Sequence, residues 1–303
     1  MSDLFSGSSE RRIEANGASL FARVGGKGPP LLLLHGFPQT HAMWHTLYPA
    51  LSDRFTCVMM DLRGYGRSSC PPNDAGNEAY SKRVMAKDAV ALMASLRFER
   101  FAVAGHDRGG RVAYRLALDH PERVTALAVL DIVPTAVMWR AMDVPLAMNA
   151  YHWFMLAQPE PLPEMLVGGD PQGFVDYTIS SWTRTKDLSA FHPEALADYR
   201  TCFAEAGHVH GACNDYRAGA TIDRAIDEAD MAAGRRIACP TLALWGDEGF
   251  PAQAATPLDV WRNWCVAVEG KGIEAGHFIA EENPRATIEA MLPFLEKHAA
   301  ATS

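Results

Sequence analysis

The segment Gly105-His106-Asp107-Arg108-Gly109-Gly110 joins an apolar run, Phe101 to Gly105, to a helical pattern, Arg108 to His120. An aspartate between strand and helix, with a glycine two residues to either side, is the G-x-nucleophile-x-G elbow with a carboxylate where many hydrolases carry serine. So sharp a turn leaves no room for side chains around the nucleophile. The helix N-terminus at Asp107 favours its ionised, attacking form. An N-cap aspartate flanked by packing glycines is the bland alternative. The strand–turn–helix context favours the nucleophile.

Near the C-terminus, Glu274-Ala275-Gly276-His277-Phe278 precedes the last helical pattern. Chain order in such folds runs nucleophile, acid, histidine. Only His298 follows His277, and an imidazole titrates near neutrality, so His277 is the candidate general base. Two carboxylates compete to orient it. Asp131 ends the apolar run after the elbow helix, and Asp247 lies in Trp245-Gly246-Asp247-Glu248-Gly249. A W-G-x-x-D pattern would place the acid at 249, where this chain has glycine, so Asp131 is preferred as the carboxylate at the correct strand end. An oxyanion hole needs two convergent backbone donors. Phe37, in His35-Gly36-Phe37-Pro38, and Arg108, next after the nucleophile, are expected to supply them.

Positioning these groups requires a sheet. Leu31–Leu34, Phe55–Met60, Phe101–Gly105, Ala126–Leu130 and Thr241–Trp245 are apolar runs suited to strands buried on both faces. Helical patterns alternate with them at Ala42–Ser52, Ser81–Leu96, Arg108–His120 and Asn283–Lys297. Alternation of this kind predicts an α/β fold with a mostly parallel sheet flanked by helices, its site at the C-terminal strand ends. From Pro134 to Arg235 no strand run occurs, but Trp139, Tyr151, Trp153, Phe154, Tyr177, Trp182 and Tyr199 do. Residues 1–134 and 236–303 are therefore expected to form the core, and 135–235 a helical cap over the sheet's C-terminal edge.

Composition narrows the class. The 303 residues are 48% hydrophobic and carry a net charge of −8, which argues for a globular protein and against disorder or a phosphate-tracking nucleic-acid binder. Apolar stretches are far too short to span a bilayer, and Met1 to Gly7 lacks the basic-then-apolar pattern of an export signal. Six cysteines without a C-x-x-C pair read as reduced thiols of a cytoplasmic protein. Arg63-Gly64-Tyr65-Gly66-Arg67-Ser68 lacks the third glycine of a phosphate loop and reads as structural. His208-Val209-His210 has no indicated third ligand, so neither a metal nor a cofactor is expected.

The residues as a set resemble an α/β-hydrolase with an aspartate nucleophile, and closely the fluoroacetate (haloacetate) dehalogenases. The likeness is carried by His35-Gly36-Phe37-Pro38-Gln39, Asp61 to Gly66, Gly105 to Arg111, Leu118-Asp119-His120-Pro121, Asp131 to Thr135, His152-Trp153 and Asp215 to Ala218. It implies that Asp107 is the nucleophile, His277 the base and Asp131 its partner. Arg108 and Arg111 would bind the carboxylate of a small haloacid substrate. His152, Trp153 and Tyr216 would hold the departing halide, and the enzyme would be a homodimer. The chemistry agrees: a two-carbon acid offers little surface, so charge-assisted bonds must grip it. Fluoride is a small, basic leaving group that needs several N–H and O–H donors in a dry pocket. Glu248-Gly249-Phe250 and the Ala150-Tyr151 step depart from the family pattern.

Three other functions compete. An epoxide hydrolase shares the nucleophile and base, and Tyr151, Tyr177, Tyr199 and Tyr216 are available to protonate an epoxide. A neutral epoxide or haloalkane, however, gives Arg108 and Arg111 nothing to read. A catalytically silent binding protein would not need the Asp–His–Asp set.

Overall fold

The computed structural model describes residues 4–205, 207–254 and 256–299. Met1–Asp3, part of the stretch read for an export signal, and residues 300–303 lie outside the described residues. Eight strands form one sheet in the order β1-β2-β4-β3-β5-β6-β7-β8. They are β1 (Ser9–Ala15), β2 (Ala18–Gly26), β3 (Pro30–Leu34), β4 (Thr56–Met60), β5 (Phe101–His106), β6 (Val124–Leu130), β7 (Thr241–Gly246) and β8 (Val268–Ile273). The first two form an antiparallel hairpin, β2 pairs antiparallel with β4, and every later pairing is parallel. Strands β5 and β6 are buried along their whole length, the expected fate of an apolar run covered on both faces.

The helices α1 (Tyr48–Ser52), α2 (Lys82–Ser95) and α3 (Asp107–Asp119) link the first strands. The continuous helix expected over Ala42–Ser52 is instead a 3-10 segment, His41–Thr46, followed by α1. Pro49 is the reason: it has no N–H to carry a helix through the second turn, but it fits the first turn of a new one. Between β6 and β7 lie only helices: α4 (Thr135–Ala141), α5 (Val144–Asn149), α6 (Tyr151–Leu156), α7 (Leu162–Gly168), α8 (Pro171–Trp182), α9 (Pro193–Ala204), α10 (His208–Ala220) and α11 (Ile222–Ala232). After β7 come α12 (Phe250–Ala254), α13 (Pro257–Trp264), β8, α14 (Ile279–Glu282) and α15 (Pro284–His298).

The inserted helices are tied to the loops at the C-terminal strand ends. Thr40 Oγ1 donates to Asp198 at 2.5 Å, and Tyr65 Oη donates to Asp215 at 2.7 Å. Glu281 on α14 accepts from Tyr199 Oη on α9 at 2.9 Å and from Gln39 Nε2. The Arg63–Ser68 loop serves the same seam: Arg67 Nη2 donates to Asp198 on α9 at 2.6 Å, while the loop itself is held by Arg63 on buried Asp88 and by the Arg67 N–H on Asp61 at 2.9 Å.

Candidate active site

Asp107 is the first residue of α3, directly after β5. Its φ of +46° places a non-glycine residue in the left-handed region, a strain that persists where surrounding structure enforces it. Enforcement is visible at Gly109, where a Cβ would lie 2.4 Å from the His35 carbonyl oxygen. The Phe37 N–H donates to Asp107 Oδ1 at 2.8 Å. The two carboxylate oxygens are therefore unlike: Oδ1 is held by the backbone, while Oδ2 faces His277 Nε2 at 3.8 Å. Burial alone would raise the Asp107 pKa, but the positive fields of His277, His106, Arg108 and Arg111 outweigh it and hold the carboxyl below its ordinary 3.8.

His277 is buried in the loop before α14, and its N–H is anchored on the Trp182 carbonyl at 3.0 Å. Nδ1 bonds Asp131 Oδ2 at 2.6 Å, which leaves Nε2 as the working nitrogen. Burial by itself lowers the imidazole pKa. The Asp131 bond and charge, aided by Asp107, overcome it and raise the pKa above 6.5. Asp131 also accepts the Gly246 N–H at 2.8 Å. Its neighbour explains the glycine that breaks the W-G-x-x-D pattern: a Cβ on Gly249 would lie 2.3 Å from Asp131 Oδ1. Position 249 must be bare because the acid arrives from β6. Asp247 packs against Gly272 instead, where a Cβ would lie 2.0 Å from its Oδ1.

The two arginines differ more than their shared helix suggests. Arg108 makes a bidentate pair with Asp215 on α10, with Nε and Nη2 each 2.8 Å from a carboxylate oxygen, and Nη2 also bonds the Asp215 carbonyl. Asp215 further binds buried Lys82 and Tyr65. The Arg108 guanidinium covers the Tyr216 ring, 4.3 Å from its centroid. Only its Nη1 is buried without a partner among the described residues. Arg111 donates through Nη1 to Val133 O at 3.0 Å and Thr135 Oγ1 at 3.2 Å, and it covers the Trp153 ring at 4.6 Å. Its Nε is buried without a partner.

His152 and Trp153, on α6, line a small inner cavity with Asp107, Arg111 and His277. Tyr216 stands beside them, its ring 5.5 Å from that of His152 and 6.3 Å from that of Trp153. His152 Nδ1 and Tyr216 Oη are both buried without partners. Burial outweighs the attraction of Asp107 and drives the His152 pKa well below 6.5, so the ring is neutral and carries one N–H. Buried polar groups are normally satisfied. Unpartnered atoms on Arg108, Arg111, His152 and Tyr216 around one carboxylate therefore describe a pocket built for a small, polar, electron-rich ligand.

Sequence reasoning missed three residues here. Trp182, at the end of α8, packs 4.2 Å from the His152 ring and 5.5 Å from the His277 ring, with Nε1 buried and unpartnered. Asp215 and Lys82 form the buried charge chain behind Arg108. Cap aromatics alone did not single out Trp182, and nothing at Lys82 signals a partner 133 positions away.

Comparisons with known proteins fit this geometry. A family model described as the α/β hydrolase fold matches residues 29–284. A fluoroacetate dehalogenase of Burkholderia sp. is 41% identical over 96% of this chain and 95% of its own. A soluble epoxide hydrolase of Corynebacterium sp. is 30% identical over 92% of this chain and 94% of its own. A solved structure described as an α/β hydrolase of Nostoc sp. PCC 7120 superposes with a TM-score of 0.93 at 47% identity, covering 96% of this chain and 99% of that one. With the sheet order, the Asp107 elbow and the full-length likeness in agreement, this chain belongs to the α/β-hydrolase fold family.

Proposed function

We propose that the protein is a hydrolytic dehalogenase that converts haloacetates, fluoroacetate foremost, to glycolate and halide through an ester on Asp107. The observation that carries this reading is the pair of buried guanidinium groups, each with an unpartnered N–H, beside the Asp107 carboxylate. A substrate that offers them no acceptor would leave those donors unsatisfied, at roughly 1–3 kcal/mol each and more for charged groups, whereas a carboxylate meets both with charge-assisted bonds.

Asp107 Oδ2 attacks the α-carbon, the carbon–halogen bond breaks, and the halide departs with its electron pair toward His152, Trp153 and Tyr216. His277 Nε2 then takes a proton from water, whose oxygen adds to Asp107 Cγ. The Phe37 N–H, already on Oδ1, is placed for the resulting oxyanion, and the Arg108 backbone N–H is assigned as the second donor. Collapse expels glycolate, which recovers the first proton from His277; the water's second proton then leaves Asp107 through His277 to solvent, and the carboxylate is regenerated with one oxygen from water. Metal and cofactor have no part in this scheme.

Relatedness to epoxide hydrolases supports the second reading, opening of an epoxide by the same aspartate. Of the four cap tyrosines, Tyr199 is bonded to Glu281, Tyr151 and Tyr177 line an outer cavity, with the Tyr151 ring 5.9 Å from that of His152, and Tyr216 packs against both His152 and Trp153. Exposed apolar side chains on α5, α7 and α8, including Val144, Met148, Met165, Leu166 and Tyr177, support a homodimer joined through the inserted helices. Six unpaired cysteines suit a reducing cytoplasm.

The test is halide release from fluoroacetate, chloroacetate and a neutral chloroalkane, beside diol formation from a neutral epoxide. Haloacetates should be turned over and the neutral compounds should not. His277→Asn should release one halide per site and accumulate a carboxymethyl ester on Asp107 in intact-mass spectra. Diol without halide would move the assignment to epoxide hydrolysis.

A further inference from the structure

The inner cavity beside Asp107 holds about 10 Å³, room for one water-sized body. A second cavity of about 150 Å³ lies just outside it, lined in part by Tyr151, Ser181, Trp182 and Lys186. Among the described residues lining the two, only Phe250 and His277 are common to both. The Phe250 ring stands edge-on to Trp182 at 5.3 Å and to His277 at 5.5 Å, and tilted to His152 at 6.0 Å. It is the first residue of α12, directly after Gly249, which cannot carry a side chain beside Asp131.

We propose that Phe250 is the partition that confines this enzyme to unsubstituted haloacetates, and that the cavity behind it is a subsite for the α-substituent of larger 2-halo acids, closed off by that one ring. The proposal rests on the dehalogenase reading and adds a substrate boundary to it. Elimination gives the direction. In-line displacement fixes Asp107 on one side of the α-carbon and the halide, toward His152 and Trp153, on the other. The carboxylate lies toward Arg111. Of the other inner-cavity walls, Asp131 is taken up by His277, which leaves Met138, Phe250, Pro251 and His277 to face the two α-hydrogens. His277 is needed as base, and Met138 and Pro251 do not border the outer cavity. A substituent on one α-position therefore meets the Phe250 ring, and only there does more space lie beyond the wall. Because the two α-positions are mirror-related, only one enantiomer of a substituted acid points its group that way.

The experiment compares wild type, Phe250→Leu and Phe250→Ala on chloroacetate and on each enantiomer of 2-chloropropionate and 2-chloro-2-phenylacetate. An added methylene in a tight pocket is worth about 10–200-fold in kcat/KM. Phe250→Ala should raise the 2-chloropropionate to chloroacetate ratio at least about tenfold, for one enantiomer, with Phe250→Leu between. The phenyl substrate should become measurable only with alanine. An unchanged ratio, or equal gain by both enantiomers, would overturn the partition role, since general loosening has no handedness. Either substituted variant suffices for this reading, so misfolding of one leaves the other decisive. Absence of chloride release from chloroacetate in wild type would overturn the dehalogenase reading itself, and the partition with it.

Discussion

Arg108 and Arg111 lie on the same turn of α3, yet Arg108 has three bonds to Asp215 and Arg111 has none to a carboxylate. Truncating one partner of a buried pair such as Arg108–Asp215 costs about 3–5 kcal/mol, so Arg108 is a fixed element of the wall and Arg111 the more available charge. In the proposed reaction Arg111 reads the carboxylate and Trp153 the halide, and their variants should fail differently. Trp153→Phe deletes one N–H, and a donor placed where charge develops can be worth about 2.7–4 kcal/mol. Fluoride needs that donor more than chloride, so the fluoroacetate to chloroacetate ratio of kcat/KM should fall in Trp153→Phe. In Arg111→Lys the ratio should hold while both activities drop. Equal losses for both halides in Trp153→Phe would return Trp153 to packing. Asp107 and His277 were legible in the sequence because their signal is local: a strand, a turn and a helix within a few residues. Gly249 was legible only as an oddity, because its meaning lies in Asp131, more than a hundred positions earlier. The charge chain through Lys82 and Asp215 leaves no local trace at all.

Among the elements, the four-residue helix α14 does more than follow His277. Its Glu281 is buried and joins the Gln39 loop, which carries the Phe37 N–H, to Tyr199 on α9. Burial pushes this carboxyl up to about 8, against the pull of the Tyr199 and Gln39 bonds and with the repulsion of Glu282. Asp198, next to Tyr199, is held by Thr40 and Arg67, and Arg200, the cation of α9, is paired with Asp176 at 2.6 and 2.8 Å. The folded state thus binds this proton more tightly than the unfolded chain, whose Glu titrates near 4.5. That stabilisation is complete below about 4.5 and declines as pH rises toward 8. Glutamine cannot ionise, so the Tm of Glu281→Gln minus that of wild type should grow from pH 5 to about pH 8 and level off above it in thermal melts. A flat difference would mean that Glu281 is charged in the fold. Elements with full apolar runs were readable to within a residue or two, as at Phe101–His106. Strand β8 was not, because V-E-G-K-G-I at the sheet edge pairs on one side only and needs no apolar run.

For the molecule as a whole, the association proposed above turns on where its apolar surface goes. The sheet is covered, but Met165 and Leu166 on α7 remain 69% and 62% exposed. Exposed apolar groups of this kind on the inserted helices are the basis of the dimer proposed above. Wild type should run as a dimer by light scattering, and Met165→Glu combined with Leu166→Glu should run as a monomer with its far-UV circular dichroism unchanged. A monomeric wild type would remove the interface. At this scale the sequence was least informative, since exposure depends on how eight helices settle on one another rather than on any one of their patterns.

The inequality of the two Asp107 oxygens gives the proposed cycle a material consequence. Oδ1 stays on the Phe37 N–H, while Oδ2 leaves inside every glycolate molecule and is replaced from water. One atom of the side chain is therefore permanent and the other is a reagent, consumed and renewed each cycle. The hydroxyl oxygen of each product comes from the protein, and solvent enters that product one cycle late. In this sense the enzyme always carries an atom of its previous turnover into the next.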